Sequence, residues 1–193
     1  IHELRSKYPD HAILAEESGA HGKSDFQWVI DPLDGTTNYL HGFPQFSISI
    51  ALRHRGRLEC GIVYDPLREE MFTAERGGGA QMNDRRIRVA NRLGLEGALI
   101  GTGFPFRDQG QLDTYLAMFR TMILNTAGLR RPGSAALDLA YVACGRTDGF
   151  WELGLAEWDM AAGALLINEA GGTVTDLAGG DRYFQTGNII GGN

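Results

Sequence analysis

The segment Trp28-Val29-Ile30-Asp31-Pro32-Leu33-Asp34-Gly35-Thr36-Thr37-Asn38 limits this chain more than any other. Gln27 to Ile30 reads as a short buried strand, and two carboxylates follow at its mouth. Close carboxylates repel at neutral pH, and bound cations relieve that repulsion. Pro32 fixes the backbone between them, so Asp31 and Asp34 are expected to converge on one point. Hard oxygen ligands of this kind suit magnesium rather than zinc or copper. Gly35 to Asn38 reads as a glycine-containing turn entering a helix, whose free N–H groups suit a phosphate. The competing reading is a surface turn with an Asx cap, since Asp, Pro and Gly are common turn formers.

Further acids lie where they can join this pair. Glu16 and Glu17 close the preceding strand, His11 to Ala15, although adjacent glutamates are most often simply solvated. Asp159 falls in the first turn of a helix, Asp159 to Glu169, whose next residues are small enough for close packing; macrodipole stabilisation explains an acid there equally well. Gly133-Ser134-Ala135 opens another helix, with Ser134 read as its N-cap, behind Arg130 and Arg131. Glu152 ends a strand beginning at Thr147. Plain readings exist for each: capping for Ser134, solvated charge for the arginines, an edge position for Glu152. The histidines His11, His41 and His54 have no useful mutual spacing, and no Gly-x-Ser-x-Gly elbow or Cys/His pairing supports acyl chemistry.

The remaining sequence sorts into two textures. Residues 1 to 8 read as the end of a helix. Phe46 to Arg53, the Arg55-Gly56-Arg57 turn and Leu58 to Tyr64 form a hairpin that continues through Met71 to Ala74, so the first half is expected to be a largely antiparallel sheet. From Ala98 onward helices dominate, with Leu112 to Leu124 and Ser134 to Cys144 between short strands. We therefore expect an N-terminal half, 1–95, with most of the carboxylates, and a C-terminal half, 96–193, with Asp159. With 193 residues and 43% hydrophobic content the chain can bury a sizeable core. A net charge of -6 argues against a general nucleic-acid surface. Cys60 and Cys144 read as buried thiols in a reducing, cytoplasmic compartment, and no apolar run is long enough to span a bilayer. The chain starts Ile-His-Glu-Leu and stops after an apolar run, so both ends are expected to continue.

Taken together, Glu16-Glu17-Ser18, Asp31 to Asn38, Trp158 to Gly163 and Glu169-Ala170-Gly171-Gly172 resemble the signatures of the inositol monophosphatase family in order and separation. Gly103 to Phe106, Arg130 to Tyr141 and Thr186 to Ile189 are most similar to its bacterial, extragenic-suppressor branch. The resemblance implies an α+β fold, a layered α-β-α-β-α sandwich, and magnesium-dependent hydrolysis of myo-inositol monophosphate. It implies that Glu16, Asp31 and the Leu33 carbonyl hold one Mg2+ and Asp31, Asp34 and Asp159 a second, with Thr36 orienting the attacking water. Two such metals suit in-line displacement at phosphorus. Gly35 and Thr36 amides would hold the phosphate, and Arg130, Gly133, Ser134, Ala135, Glu152 and Asp159 would meet the rest of the substrate. An aspartate paired with the threonine is expected upstream of residue 1, and the chain without it to be a poor catalyst. Lithium inhibition, a homodimer and membership of a transcription antitermination complex are further expectations. Fructose bisphosphate, a bisphosphorylated nucleotide and histidinol phosphate are alternative substrates.

Overall fold

The computed structural model describes residues 1–105 and 109–193; Phe106, part of one stretch that carries the resemblance, lies outside the described residues. The first half runs α1 (His2–Lys7), β1 (Ala12–Ala15), β2 (Gly19–His21), β3 (Phe26–Asp34), α2 (Thr36–Leu40), β4 (Ser47–His54), β5 (Arg57–Asp65), β6 (Glu70–Glu75), β7 (Gly79–Met82) and β8 (Arg85–Arg86). The second runs β9 (Leu99–Thr102), α3 (Leu112–Asn125), β10 (Gly128–Arg130), α4 (Ala135–Ala143), β11 (Gly149–Glu152), α5 (Glu157–Glu169), β12 (Thr173–Thr175), α6 (Tyr183–Thr186) and β13 (Ile189–Gly192).

Among the described residues, one sheet has eight strands in the order β2-β1-β3-β4-β5-β6-β7-β8 and the other five in the order β10-β9-β11-β13-β12. The expected antiparallel meander is present from β3 to β8, but β1 pairs with β3 in parallel. The smaller sheet is mixed, with β9, β10 and β11 parallel and β13 antiparallel to β11 and β12.

Strand alternation decides what each sheet face covers. Val29 of β3 joins the main core with Leu137, Leu139 and Leu166 of α4 and α5, whereas its neighbour Ile30 packs on the opposite face with Ile13, Ala15 and Leu4 of α1. In β11, Phe150 faces the main core while Trp151 packs with Tyr115 and Met118 of α3. The layers are therefore α1, the large sheet, the α4/α5 pair, the small sheet and α3, the sandwich expected from the sequence. The small residues after Asp159 serve this packing as anticipated. Gly163 of α5 lies against Leu139 of α4 with no room for a Cβ, and Ala162 meets Gly61 of β5.

The cysteines depart from expectation: both are free, but half-buried rather than buried. Cys60 occupies the face of β5 opposite to Gly61, which packs on α5, and Cys144 is the C-cap of α4, where the helix ends at the surface. Among the described residues no helix is long and apolar enough to cross a membrane.

Candidate active site

Asp31 and Asp34 are three residues apart, a spacing that puts side chains on opposite faces of a regular strand. The structure resolves this with a bulge. Asp31 pairs with Ser49 and Asp34 with Ser47, so three steps along β3 oppose two along β4. The extra residue turns Asp34 back to the face that Asp31 occupies. Pro32 lies inside the bulge, where its missing N–H breaks no ladder bond. Convergence therefore comes with the register shift, and Pro32 lies inside it.

Asp159 reaches the same point from the first turn of α5. Its carboxylate accepts a hydrogen bond from the Ala156 N–H at 2.7 Å, and β4 holds the turn in place. There the Ser49 hydroxyl donates to the Trp158 carbonyl at 3.1 Å, and Arg53 forms an ion pair with Glu157. Asp31, Asp34 and Asp159 are all buried, and each offers a carboxylate oxygen within 4.8 Å of the others.

The hydrogen bonds around the two strand aspartates are unequal. Asp31 accepts one from the Leu33 N–H at 2.9 Å. Asp34 accepts from the Ser134 hydroxyl at 2.5 Å, the Ala136 N–H at 2.9 Å and the Ser47 hydroxyl at 3.4 Å. Burial pushes Asp31 up to about 8, and Asp34, Glu16 and Asp159 add to the rise while the Leu33 amide opposes it. Asp34 is also raised by burial, against the pull of its Ser134 and α4 donors. Three buried acids this close resist ionising together, and a hard divalent cation would relieve that repulsion on oxygen donors.

The cluster forms the floor of a cleft of about 300 Å³ lined also by Glu16, Leu33, Gly35 and Thr36. A second lobe of about 240 Å³ opens beside it over Gly103, Phe104, Ala135, Glu152 and Leu155, and shares Asp34, Arg131, Gly133 and Asp159 with the first. One lobe is rich in carboxylates, and the other has a mixed lining.

The profile of the inositol monophosphatase family matches residues 1–193. The chain belongs to that family. It is 59% identical to a Pseudomonas aeruginosa protein named "Nus factor SuhB", over 98% of this chain and 72% of that one. It superposes on the crystal structure of extragenic suppressor protein suhB from Bartonella henselae with a TM-score of 0.96 at 52% identity, covering 100% of this chain and 74% of the other. The inositol monophosphatase from Anabaena (Nostoc) sp. PCC 7120 gives a TM-score of 0.95 at 45% identity, covering 98% and 76%.

Within this family fold, the sequence-selected residues divide into three groups. Asp31, Asp34 and Asp159 come together on the floor, and Glu16 stands at the rim after β1, its N–H bonded to the Ile30 carbonyl at 3.1 Å. Thr36 is exposed in the same cleft and donates its hydroxyl to the Leu33 carbonyl at 3.0 Å. Gly35 takes φ +93°, and a side chain there would strike the Gln45 carbonyl at 2.9 Å, so only glycine fits. Gly133, Ala135 and Glu152 line the second lobe, where Glu152 occupies the space that a Gly103 side chain would need.

Two selected residues sit differently. Ser134 does occupy the N-cap position of α4, yet it makes no side-chain cap; its hydroxyl is spent on Asp34. Arg130, the last residue of β10, is exposed and folds back to donate to the Leu129 carbonyl at 2.9 Å, and it lines neither lobe. Among the described residues, the arginine lining both lobes is Arg131, whose guanidinium lies over the Phe104 ring at 4.9 Å. Ser47 and Ser49 were not selected from the sequence. Their signal was small polar residues alternating along a strand that pairs with the carboxylate strand.

Proposed function

We propose that this protein hydrolyses a phosphate monoester, with myo-inositol monophosphate as the leading substrate, in a Mg2+-dependent reaction. The observation that carries the reading is the buried triad of Asp31, Asp34 and Asp159, with oxygens within 4.8 Å of one another at the floor of a two-lobed cleft. Glu16, Asp31 and the Leu33 carbonyl would hold one ion, and Asp31, Asp34 and Asp159 another. Bound divalent ions supply charge neutralisation, an acidified water and stabilisation of a departing alkoxide. Thr36, exposed in the cleft, would orient the attacking water, and the Gly35–Thr36 backbone would face the phosphate. Glu152 would accept hydrogen bonds from ring hydroxyls, with Gly133 and Ala135 forming the wall beside it and Arg131 at the junction. Arg131 would take the role expected for Arg130, because among the described residues it is the arginine that lines both lobes.

The test is phosphate release from inositol 1-phosphate, fructose bisphosphate, a bisphosphorylated nucleotide and histidinol phosphate, each with Mg2+ and with a chelator. Release from inositol 1-phosphate that stops with the chelator supports the reading; release that ignores the chelator sinks it. Lithium is expected to inhibit at the ion held by Asp34 and Asp159.

A second reading is favoured by the 59% identity to a protein named as a Nus factor. On that reading the chain acts with transcription-complex proteins in the cytoplasm as a protein-binding factor, and catalysis is secondary. Retention on RNA polymerase or elongation-factor resin, equal for wild type and Asp31→Asn, would support it. The protein is expected to be a homodimer, and a monomer mass by light scattering at micromolar concentration would contradict that.

A further inference from the structure

Asn38 ends the carboxylate-bearing segment, and neither the metal chemistry nor the substrate contacts above use it. Its side-chain amide nitrogen lies 2.7 Å from the Gln45 carbonyl, 2.8 Å from the Pro132 carbonyl and 3.2 Å from the Gly133 carbonyl. Two of these partners are 94 and 95 residues away in sequence, on the loop that leads into α4. An amide has two N–H bonds, so three carbonyls share them, and all three point inward on a part-buried group.

The surrounding backbone is shaped to allow this approach. Gly133 takes φ +91°, and a side chain there would come within 3.0 Å of the Asn38 amide nitrogen. Gly35 presses on the Gln45 and Gly133 carbonyls from the other side, with its hypothetical Cβ at 2.9 and 3.2 Å. Without the Asn38 donors, three carbonyl dipoles of the same sign would face one another across a gap with nothing to hold them. Directly after Gly133 comes Ser134, whose hydroxyl donates to Asp34, and two residues further on Ala136, whose N–H does the same.

We infer that Asn38 is a positioning residue: it ties the 132–133 loop to α2 and thereby holds the Ser134 hydroxyl on Asp34. The inference rests on the reading of Asp34 as a metal ligand. It assigns no contact between Asn38 and substrate or metal. Its consequence is that Asn38 and Ser134 act on Asp34 in series.

The experiment is a double-mutant cycle with Asn38→Ala, Ser134→Ala and the double variant. Mn2+ binding is measured by calorimetry and kcat and KM are measured on inositol 1-phosphate. Residues acting in series give non-additive effects. Each single change should weaken the more affected Mn2+ site about tenfold, the size expected for a lost buried hydrogen bond, and the double should also lose about tenfold. The loss should fall on kcat at fixed Mg2+ and be restored by added Mg2+, with KM nearly unchanged. A double variant weaker by about a hundredfold, the product of the two, would overturn the inference, because the residues would then act independently.

If Asn38→Ala does not fold, Asn38→Ser keeps one donor and carries the same test with a smaller expected loss. Failure of both to fold would also overturn it, by making Asn38 a requirement of the whole fold. Coupling in urea denaturation of the same four proteins reads the Asn38–Ser134 link without reference to the reaction. A wild-type protein that binds no Mn2+ but shows that coupling would defeat the phosphatase reading and keep the link; strong Mn2+ binding without coupling would do the reverse.

Discussion

Ser134 and Asp34, 100 residues apart, meet at 2.5 Å: the hydroxyl at the start of α4 donates to the carboxylate at the end of β3 instead of capping its own helix. This bond joins the two sheets' contributions to the site. A hydrogen bond to a charged group is worth about 1.5–3 kcal/mol, roughly tenfold to a hundredfold in a binding constant. Ser134→Ala should therefore raise the Mg2+ concentration for half-maximal phosphate release by about tenfold, the lower end of that range, with far-UV circular dichroism unchanged. An unchanged Mg2+ requirement would show that Asp34 is held without it.

Asp31 is the acid that the account gives to both ions. Loss of a residue that merely supports a ligand typically costs about 10- to 100-fold in metal affinity or activity, and Asp31→Asn should cost more than that. It should also be more damaging than Glu16→Gln, since Glu16 is only at the rim. Steady-state rates at saturating Mg2+ compare the two directly, and the opposite ranking would move the bridging role elsewhere.

The raised Asp31 value also predicts a pH effect on the metal-free protein. An ordinary aspartate releases its proton near 3.9 in the unfolded chain, whereas the folded protein keeps it up to about 8. Between these values the native state binds the extra proton, so stability falls as pH rises. The melting temperature with chelator should decline from about pH 5 to about pH 8, and the decline should be shallower in Asp31→Asn. Saturating Mg2+ should flatten it, because the ion takes the place of the proton. A wild-type slope equal to that of Asp31→Asn would remove Asp31 as its source.

Glu152 rests against Gly103, whose Cα leaves no space for a side chain beside that carboxylate. Gly103→Ala should push Glu152 away from the second lobe and leave the carboxylate floor intact. KM for inositol 1-phosphate should rise about tenfold, the order expected for one displaced hydrogen bond, with kcat and Mg2+ dependence largely kept. An equal fall in kcat with no change in KM would place Glu152 in the chemical step.

How much of this was legible in the sequence depended on distance along the chain. Glu16, Asp31 and Asp159 could be picked out because each stands at the edge of an apolar-patterned run, and Asp34 because it follows Asp31 by three residues in the same segment. The alternation of Val29 and Ile30 between two cores likewise follows from local pattern. The bulge at Asp31–Asp34 does not, since it is a property of the pairing with Ser47 and Ser49 on another strand. A serine before a helix reads as a cap because it usually is one; only the arrival of β3 offers the Ser134 hydroxyl a carboxylate acceptor. The choice between neighbouring Arg130 and Arg131 turned on where β10 ends, which single-residue spacing does not decide. Asn38 reads as the entry to a helix, and two of its three acceptors, the Pro132 and Gly133 carbonyls, come from a loop more than 90 residues away.

The most direct test of the central claim is phosphate release from inositol 1-phosphate by the intact protein, with Mg2+, with Mg2+ plus excess chelator, and in Asp31→Asn with Mg2+. Steady release is expected only in the first case, with the other two lower by more than about 100-fold. Equal rates in all three would contradict it, because the buried acids would then have no part in the reaction.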